Sequence, residues 1–385
     1  MSSLWSRTGT LGIVALALAM LLAACGGDDE ATPTPVAADS TPTATPEPRE
    51  FYEGKTIRVV IPYSAGGSSS VLVPYFAHQL PNFIPGNPRM ISSHITPIIA
   101  GYNFLAKADT DGTQLMYTSA APLTQQYTPE SEFDVAAFEY IVGYTSGENV
   151  LMVNGDVPFD TLEAALASRH QLRLPVETDP SEMSGADIAV MITAEHFGYD
   201  LKMIPLSVAS TGTAESLVAM ERGDIDGQVA AAIWYTMPSL RPGWTSEGTI
   251  KPVGFFGRPG QAMNPNSETD AVATNYTDVI LSDASAELQS LYNALVVPPI
   301  ALGKHFLMPP DTNSEAVAIL RQAFTDALAD PTFVKGLNRL LGIESIYFPG
   351  DQLQTTIEGA AAAFDDGRET RDQTVLDMYN KYTNN

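Results

Sequence analysis

Strands that run directly into turns of glycine, serine and threonine recur along this sequence. The clearest is "IPYSAGGSSSVLVPYF", residues 61–76, where an apolar strand, a glycine pair and three serines precede an amphipathic segment. Such turns span residues 64–70, 118–121, 178–185 and 207–213, and three of the four lead into a predicted helix. Alternating strands and helices imply parallel sheets, in which polar turns collect at the carboxyl ends of the strands. The pattern predicts an α/β fold.

Two explanations of these turns stay open at this point. Ser, Thr and Gly are favoured at helix starts, so each turn can serve as helix capping alone. The N–H groups at a helix N-terminus also favour a bound anion, and the pair Gly66 and Gly67 would let the backbone approach it closely. The net charge of −25 does not exclude an anion site, because distant surface charges are screened beyond about 10 Å.

Length and charge narrow the class of protein. A chain of 385 residues predicts two domains rather than one. Forty-five acidic side chains against twenty basic ones argue against nucleic acid as a partner, because no basic surface is available for phosphates. We expect one lobe from 51–148 plus 258–385 and another from 149–257. The hinge is expected at "TSGEN" and "FFGRP", where the chain crosses between them.

The first 25 residues predict that the protein is exported and attached to a membrane by a lipid. Arg7 is the only charge before the apolar run "LGIVALALAMLLAA", which is too short to span a bilayer comfortably and is typical of a signal peptide, residues 1–24. The run ends in "LAAC", which resembles the bacterial lipobox, and Cys25 is the only cysteine of the chain. We expect Cys25 to be lipidated, so that a lipid is the only membrane anchor. Residues 25–50, rich in Pro and Thr, are expected to form a disordered tether.

Five segments, taken in their order along the chain, resemble segments of a known family. "GKTIRVVIPYSAGGSSSVL", "KADTDGTQLMYTSAAP", "LVAMERGDIDGQV", "LYNALVVPP" and "ALADPTFVKGLNRLLGIE" are similar to segments of the Bug-type solute receptors. Those receptors are the substrate-binding components of tripartite tricarboxylate transporters. The resemblance covers roughly residues 54 to 366. The Pro-Tyr-x-x-Gly-Gly turn at Pro62 is moderately specific, and the ordered set of segments is more specific than any one of them.

The sequence departs from the family pattern at three places. Ser70 replaces the acidic residue that follows the glycine pair, and "HITPIIAGYNF" replaces a glycine-rich stretch. The fourth turn lacks the Lys-Gly pair of the family and reads "VASTGT" instead. These differences affect the identity of the ligand more than the fold.

The resemblance implies a two-lobed, Venus-flytrap fold of the periplasmic binding proteins, each lobe a mostly parallel sheet flanked by helices. It also implies that the protein captures a small organic carboxylate between the lobes and delivers it to multispanning membrane subunits of a transporter. Its place would be the extracytoplasmic face of a bacterial membrane. The expected ligand contacts lie on the four turns and one apolar strand: Tyr63, Ser64, Gly66, Gly67, Ser68, Ser69, Thr118, Ser119, Ala120, Ser184, Thr211 and Trp234.

Other roles for some of these residues stay open. Ser184 with Asp187 three residues later is a capping-box pattern. Trp234 would either stack on an aromatic ligand or pack in the core. A second class of function also fits the receptor sequence, namely a ligand sensor that signals to a membrane partner instead of feeding a transporter.

The sequence offers no arrangement of residues for an enzyme. The five histidines are scattered, and none has the spacing of metal ligands. There is no Gly-x-Ser-x-Gly elbow for a nucleophilic serine and no phosphate-loop lysine after "GGSSS". We therefore expect no catalytic residues, no cofactor and no metal.

Overall fold

The computed structural model describes residues 50–119, 122–145, 148–206, 213–231, 233–264, 268–269, 272–365 and 368–384. The predicted signal peptide, Cys25 and the tether up to residue 49 lie outside the described residues. The predicted ligand contacts Ala120 and Thr211 lie outside them too. Within these ranges, no helix is long and apolar enough to cross a membrane.

Strands and helices alternate through most of the described chain. The strands are β1 (Thr56–Ile61), β2 (Arg89–His94), β3 (Gln114–Ser119), β4 (Glu139–Tyr144), β5 (Asn149–Asn154), β6 (Leu172–Val176), β7 (Leu201–Pro205), β8 (Gly227–Ala231), β9 (Ile250–Phe256), β10 (Lys304–Met308) and β11 (Tyr347–Pro349). The helices are α1 (Ser69–Gln79), α2 (Ile98–Ala106), α3 (Pro122–Gln125), α4 (Leu162–Ser168), α5 (Gly185–Phe197), α6 (Thr213–Arg222), α7 (Ile233–Leu240), α8 (Tyr276–Asp283), α9 (Ala286–Leu295), α10 (Val297–Leu302), α11 (Ser314–Ala329), α12 (Pro331–Leu341), α13 (Gly350–Asp365) and α14 (Arg368–Thr383).

The first sheet contains six strands of the described chain in the order β11-β4-β10-β3-β1-β2. β1 pairs in parallel with β2 and β3, and β10 pairs antiparallel with both β3 and β4. Four of these strands therefore run in one direction, while β10 and β11 run in the other. Val59, Val60 and Ile61 of β1 are fully buried, as predicted for a strand covered on both faces.

The second half of the fold contains the ladders β8-β5-β9 and β6-β7. β5 is antiparallel to β8 and β9, and β6 is parallel to β7. The N–H of Asp226, just before β8, donates to the carbonyl of Arg173 in β6 at 2.8 Å. The Arg173 guanidinium also donates to the Asp226 carboxylate at 2.6 Å. These bonds place β6 beside β8, so the two ladders are neighbours.

Each sheet has helices packed on it, and the predicted α/β class is confirmed. Helix starts follow local sequence, as in α5, where Ser184 caps and the full capping box with Asp187 is present. Asp330 caps α12 by accepting the N–H of Phe333 at 2.8 Å. Trp234 differs from the prediction, because β8 ends at Ala231 and the tryptophan lies in α7.

The chain crosses from the first sheet to the second after β4 and returns before β10. This agrees with the strands assigned to each predicted lobe, whose boundaries stay a prediction. The core of the second sheet also holds Tyr276 of α8, Tyr292 of α9 and Tyr379 of α14. These three helices lie within 258–385, which the predicted boundaries assign to the first lobe.

Candidate functional site

The turn between β1 and α1 leads directly into the N-terminus of a helix. α1 begins at Ser69, with Ser68 as its N-cap and no side-chain cap hydrogen bond. Pro74 lies in the second turn of this helix. The first four N–H groups of a helix have no intrahelical acceptor. The N–H groups of Ser70 and Val71 already donate to the carbonyls of Gly67 and Ser68. An anion at the positive end of α1 would therefore take its donors from the residues before Ser70.

Side chains of the same turn fix its shape. Ser70 Oγ accepts the N–H of Gly66 at 2.9 Å, and the N–H of Ser70 donates to the carbonyl of Gly67 at 3.0 Å. Ser70 thus braces the turn and is not the helix cap that the sequence suggested. Within the described residues, the hydroxyl oxygen of Ser64 is buried and has no hydrogen-bond partner. A buried hydroxyl without a partner costs free energy, which a ligand oxygen would recover.

Gly66 brings this turn against the second half of the fold. Its φ is +99°, a backbone conformation that residues other than glycine rarely adopt. A Cβ placed on it would lie 3.2 Å from the Cβ of Ala214, the second residue of α6. The first predicted turn therefore lies against the start of α6, whereas residues 207–212 of the fourth predicted turn, Thr211 among them, lie outside the described residues.

The end of β3 joins the first turn through tyrosine hydroxyls. Tyr63 Oη lies 2.8 Å from Ser119 Oγ and 3.3 Å from Thr118 Oγ1. Tyr102 of α2 donates to Thr118 Oγ1 at 3.0 Å and to the Ser119 carbonyl at 3.2 Å. The structure thus brings Tyr63, Thr118 and Ser119 together as predicted. Thr118 is fully buried, so it positions Tyr63, whereas Ser119 is partly exposed.

Three residues around this cluster were not predicted. Tyr102 is fully buried, and burial raises the pKa of its hydroxyl well above 10, so it acts as a neutral donor. The Nδ1–H of His94 donates to the Tyr63 carbonyl at 2.5 Å. The ammonium of Lys304 lies 5.0 Å from the centre of the Tyr63 ring. No sequence signal marked these residues, because each comes from an element remote in the chain.

Ser184 and Trp234 have structural roles that do not depend on a ligand. The Ser184 hydroxyl donates to Asp187 Oδ2 at 2.8 Å and accepts the N–H of Asp187 at 3.4 Å. Trp234 is 1% exposed and belongs to the core around β1, which favours the packing role. Ligand contacts by these two residues stay predictions. Within the described residues, neither is hydrogen-bonded to the turn at Gly66.

We expect Asp187→Asn to make stability less dependent on pH. Burial is the main cause that raises the Asp187 pKa from 3.8 to about 6. A raised folded-state pKa means that the wild-type carboxyl is favourable when protonated, and that this contribution is lost as pH rises from about 4 to about 6. Relative to the wild type, the variant should gain about 1–2 kcal/mol of unfolding free energy between pH 4 and pH 7. Urea unfolding at both pH values measures it, and an equal difference at both would contradict it.

A cavity of about 230 Å³ lies beside the third predicted turn, between α5, α9 and α14. Its lining is mostly apolar and includes Tyr127, Met183, Ile188, Leu295 and Val375. It suits a small apolar group better than a carboxylate, because the burial of an unpaired charge is unfavourable. Among the described residues, no group of three His, Cys, Asp or Glu side chains is placed to hold a metal ion.

The fold has been seen before in solved structures. The periplasmic binding protein BugD matches with a TM-score of 0.60 at 14% identity, over 83% of this chain and 98% of that one. Rpa4515 of R. palustris with adipate matches with a TM-score of 0.59 at 14% identity, over 82% and 97%. This chain has the periplasmic binding protein fold. MatC from Rhodopseudomonas palustris with bound malate matches with a TM-score of 0.55 at 15% identity, over 81% of this chain and 98% of that one.

The resemblance predicted from the turns is thus matched by structural neighbours of the Bug type. The two-lobed periplasmic-binding-protein fold predicted with it is confirmed at the level of fold. No protein-family model matches the sequence, and no curated protein matches it either. At these identities the likeness establishes architecture, and the ligand has to be argued from the residues of this chain.

Proposed function

We propose that this chain is an extracytoplasmic substrate-binding lipoprotein that captures a small organic carboxylate and delivers it to a tripartite tricarboxylate-type membrane transporter. The carboxylate binds where the turn at Gly66 faces the start of α6. Its oxygens accept N–H groups at the start of α1 and hydroxyl groups of Ser64, Ser68 and Ser119. Backbone donors at a helix N-terminus suit an anion of this size.

The contact between Gly66 and Ala214 is the observation that supports this proposal most directly. It sets the donor-bearing turn of the first sheet against the first turn of a helix from the second sheet. A ligand held between them would be enclosed from both sides, as expected for a receptor that closes on its ligand. The neighbours Rpa4515 and MatC, with adipate and malate in their structures, support a carboxylate as the ligand.

The test is calorimetric titration of the purified protein with adipate and malate, and with the neutral diamides of both acids. Binding of an acid without binding of its diamide would support an anion site. Mass spectrometry of ligand retained through purification would then identify the physiological carboxylate. A neutral retained ligand, with no response to either acid, would contradict the proposal.

The anchor is tested separately in the full chain. We expect Cys25→Ser to move the protein from the membrane to the soluble fraction, because the lipid on Cys25 is the only membrane anchor that we propose. Labelling of cells with a fatty-acid analogue should mark the wild type and leave the variant unmarked. A variant that stays on the membrane and still carries lipid would show that Cys25 is not the anchor.

A further inference from the structure

Lys304 is the first residue of β10 and lies beside the last residue of β3, Ser119, in the first sheet. Its Cα pairs with that of Ser119 on one side and with that of Tyr144 on the other. Gly303 precedes it with a φ of +61°, and a Cβ there would lie 2.4 Å from the Tyr144 carbonyl oxygen. Only glycine fits this approach, so the backbone fixes the position of Lys304 beside the end of β3.

The Lys304 side chain is directed to the predicted ligand contacts. Its ammonium lies 5.0 Å from the centre of the Tyr63 ring, within the range of a cation–π contact. The hydroxyl of the same ring is hydrogen-bonded to Ser119. One aromatic ring therefore connects the first turn, the second turn and a positive charge.

This positive charge has no carboxylate partner in the described part of the chain. Within those residues, no Asp or Glu oxygen lies within 4.0 Å of the Lys304 ammonium, whereas Lys251 and Lys381 have carboxylates at 2.6 Å. Lys304 is also partly buried, which weakens its hydration. In a chain of net charge −25, a half-buried ammonium without an acidic neighbour is a place where an anionic ligand gains charge pairing.

The neighbouring histidine does not supply that charge. His305 is 1% exposed, and burial, with a smaller effect of Lys304, lowers its pKa to about 3. His305 is therefore neutral at physiological pH, and its own side chain packs beside Tyr140. The cation at the start of β10 is Lys304 alone.

We infer that Lys304 is a specificity-determining residue that pairs with a carboxylate group of the ligand at the Tyr63–Ser119 end of the site. This inference rests on the proposed function and goes beyond it, because it assigns a direct charge partner where only backbone N–H groups and serine hydroxyls were proposed. It predicts selection of acids over their amides and esters. It also predicts an affinity that falls with ionic strength.

Calorimetric titration with adipate and malate tests the inference on three variants. Lys304→Met, which keeps the length of the side chain, should lower the affinity for the acid that the wild type binds by about 10-fold or more. Lys304→Arg should keep most of the affinity, since the charge remains. Lys335→Met, which removes an exposed lysine of α12, should leave the affinity unchanged.

The outcomes separate this inference from the proposed function. Unchanged affinity in a folded Lys304→Met variant would overturn the inference and leave the carboxylate site in place. A wild type that binds neither acid would overturn both. If Lys304→Met does not fold, titration of the wild type at low and high salt decides. Affinity that falls with salt supports the lysine contact, and affinity independent of salt overturns it.

Discussion

Gly66→Val is expected to weaken carboxylate binding by a factor of roughly 100, equivalent to nearly 3 kcal/mol. A β-branched residue at a φ of +99° is strained by about 1–3 kcal/mol, and its Cβ would start 3.2 Å from Ala214. Both effects move the turn away from the ligand or hold it apart from α6. The loss of several charge-assisted hydrogen bonds follows. The measurement is calorimetric titration with adipate, malate or the retained ligand.

Two control variants separate backbone strain from lost binding. Gly54→Val introduces the same kind of strain at a φ of +73°, with no atom within 4 Å of the new Cβ, so stability should fall and affinity should not. Ser70→Ala removes the acceptor of the Gly66 N–H and should lower stability by about 1 kcal/mol. Unchanged affinity in a folded Gly66→Val variant would mean that the turn is a helix start only. The ligand would then bind elsewhere, for example in the cavity near Met183.

Local sequence predicted the elements whose signals are local. β1 and β5 are short runs of β-branched and apolar residues, and the caps at Ser184 and Asp330 depend on side chains that lie within three residues of the helix start. α14 was missed because it is polar around its circumference. It buries Tyr379 and Tyr382 against a core formed 180 residues earlier or more, where Tyr382 Oη donates to Glu195 at 3.0 Å.

The apolar run "AAAIW" shows a second limit. Its residues are apolar at every position, so they carry neither the period of a strand nor that of a helix. The prediction extended the strand through Trp234, but the structure begins α7 at Ile233. The run therefore did not show where the strand ends and the helix begins, although Ile233 and Trp234 are both buried.

The candidate site was predictable to the extent that it lies at the carboxyl ends of parallel strands. That rule placed Tyr63 near Ser119, and the hydroxyl contact at 2.8 Å agrees with it. The rule does not predict Lys304, because β10 runs antiparallel to β3. In an antiparallel strand, the first residue and not the last lies at that edge. The direction of β10 depends on pairing between distant segments, which sequence patterns do not encode.

The second large effect is expected at Glu148, where the two chain crossings meet. Glu148 follows β4, is 2% exposed, and accepts hydrogen bonds from the Tyr235 hydroxyl and from the side chains of Gln261 and Asn264. Tyr235 comes from α7, and the other two come from the segment after β9. One buried carboxyl group therefore ties together the two segments that were predicted to form the hinge.

Glu148→Leu should lower the free energy of unfolding by about 3–5 kcal/mol. The leucine leaves the buried Tyr235 hydroxyl and the partly buried Gln261 amide without their acceptor, and each such loss costs about 1–3 kcal/mol, whereas the exposed Asn264 amide can bond to water. Glu148→Gln is the matched control, because it keeps one oxygen acceptor and should cost about 1 kcal/mol. Urea unfolding of the three proteins measures these differences. Equal stability of the leucine variant and the wild type would contradict the prediction.

The same variants test whether the crossings act as a hinge. Burial raises the pKa of the Glu148 carboxyl, while its hydrogen bonds from Tyr235, Asn264 and Gln261 lower it, so the raised pKa reflects how deeply this group is placed at the crossings. If the lobes close by rotation at the crossings, Glu148→Leu should loosen them and widen the difference in radius of gyration between ligand-free and ligand-bound protein. Glu148→Gln should behave as the wild type does. Identical scattering from all three proteins, with and without ligand, would mean that Glu148 stabilises the fold without governing its closure.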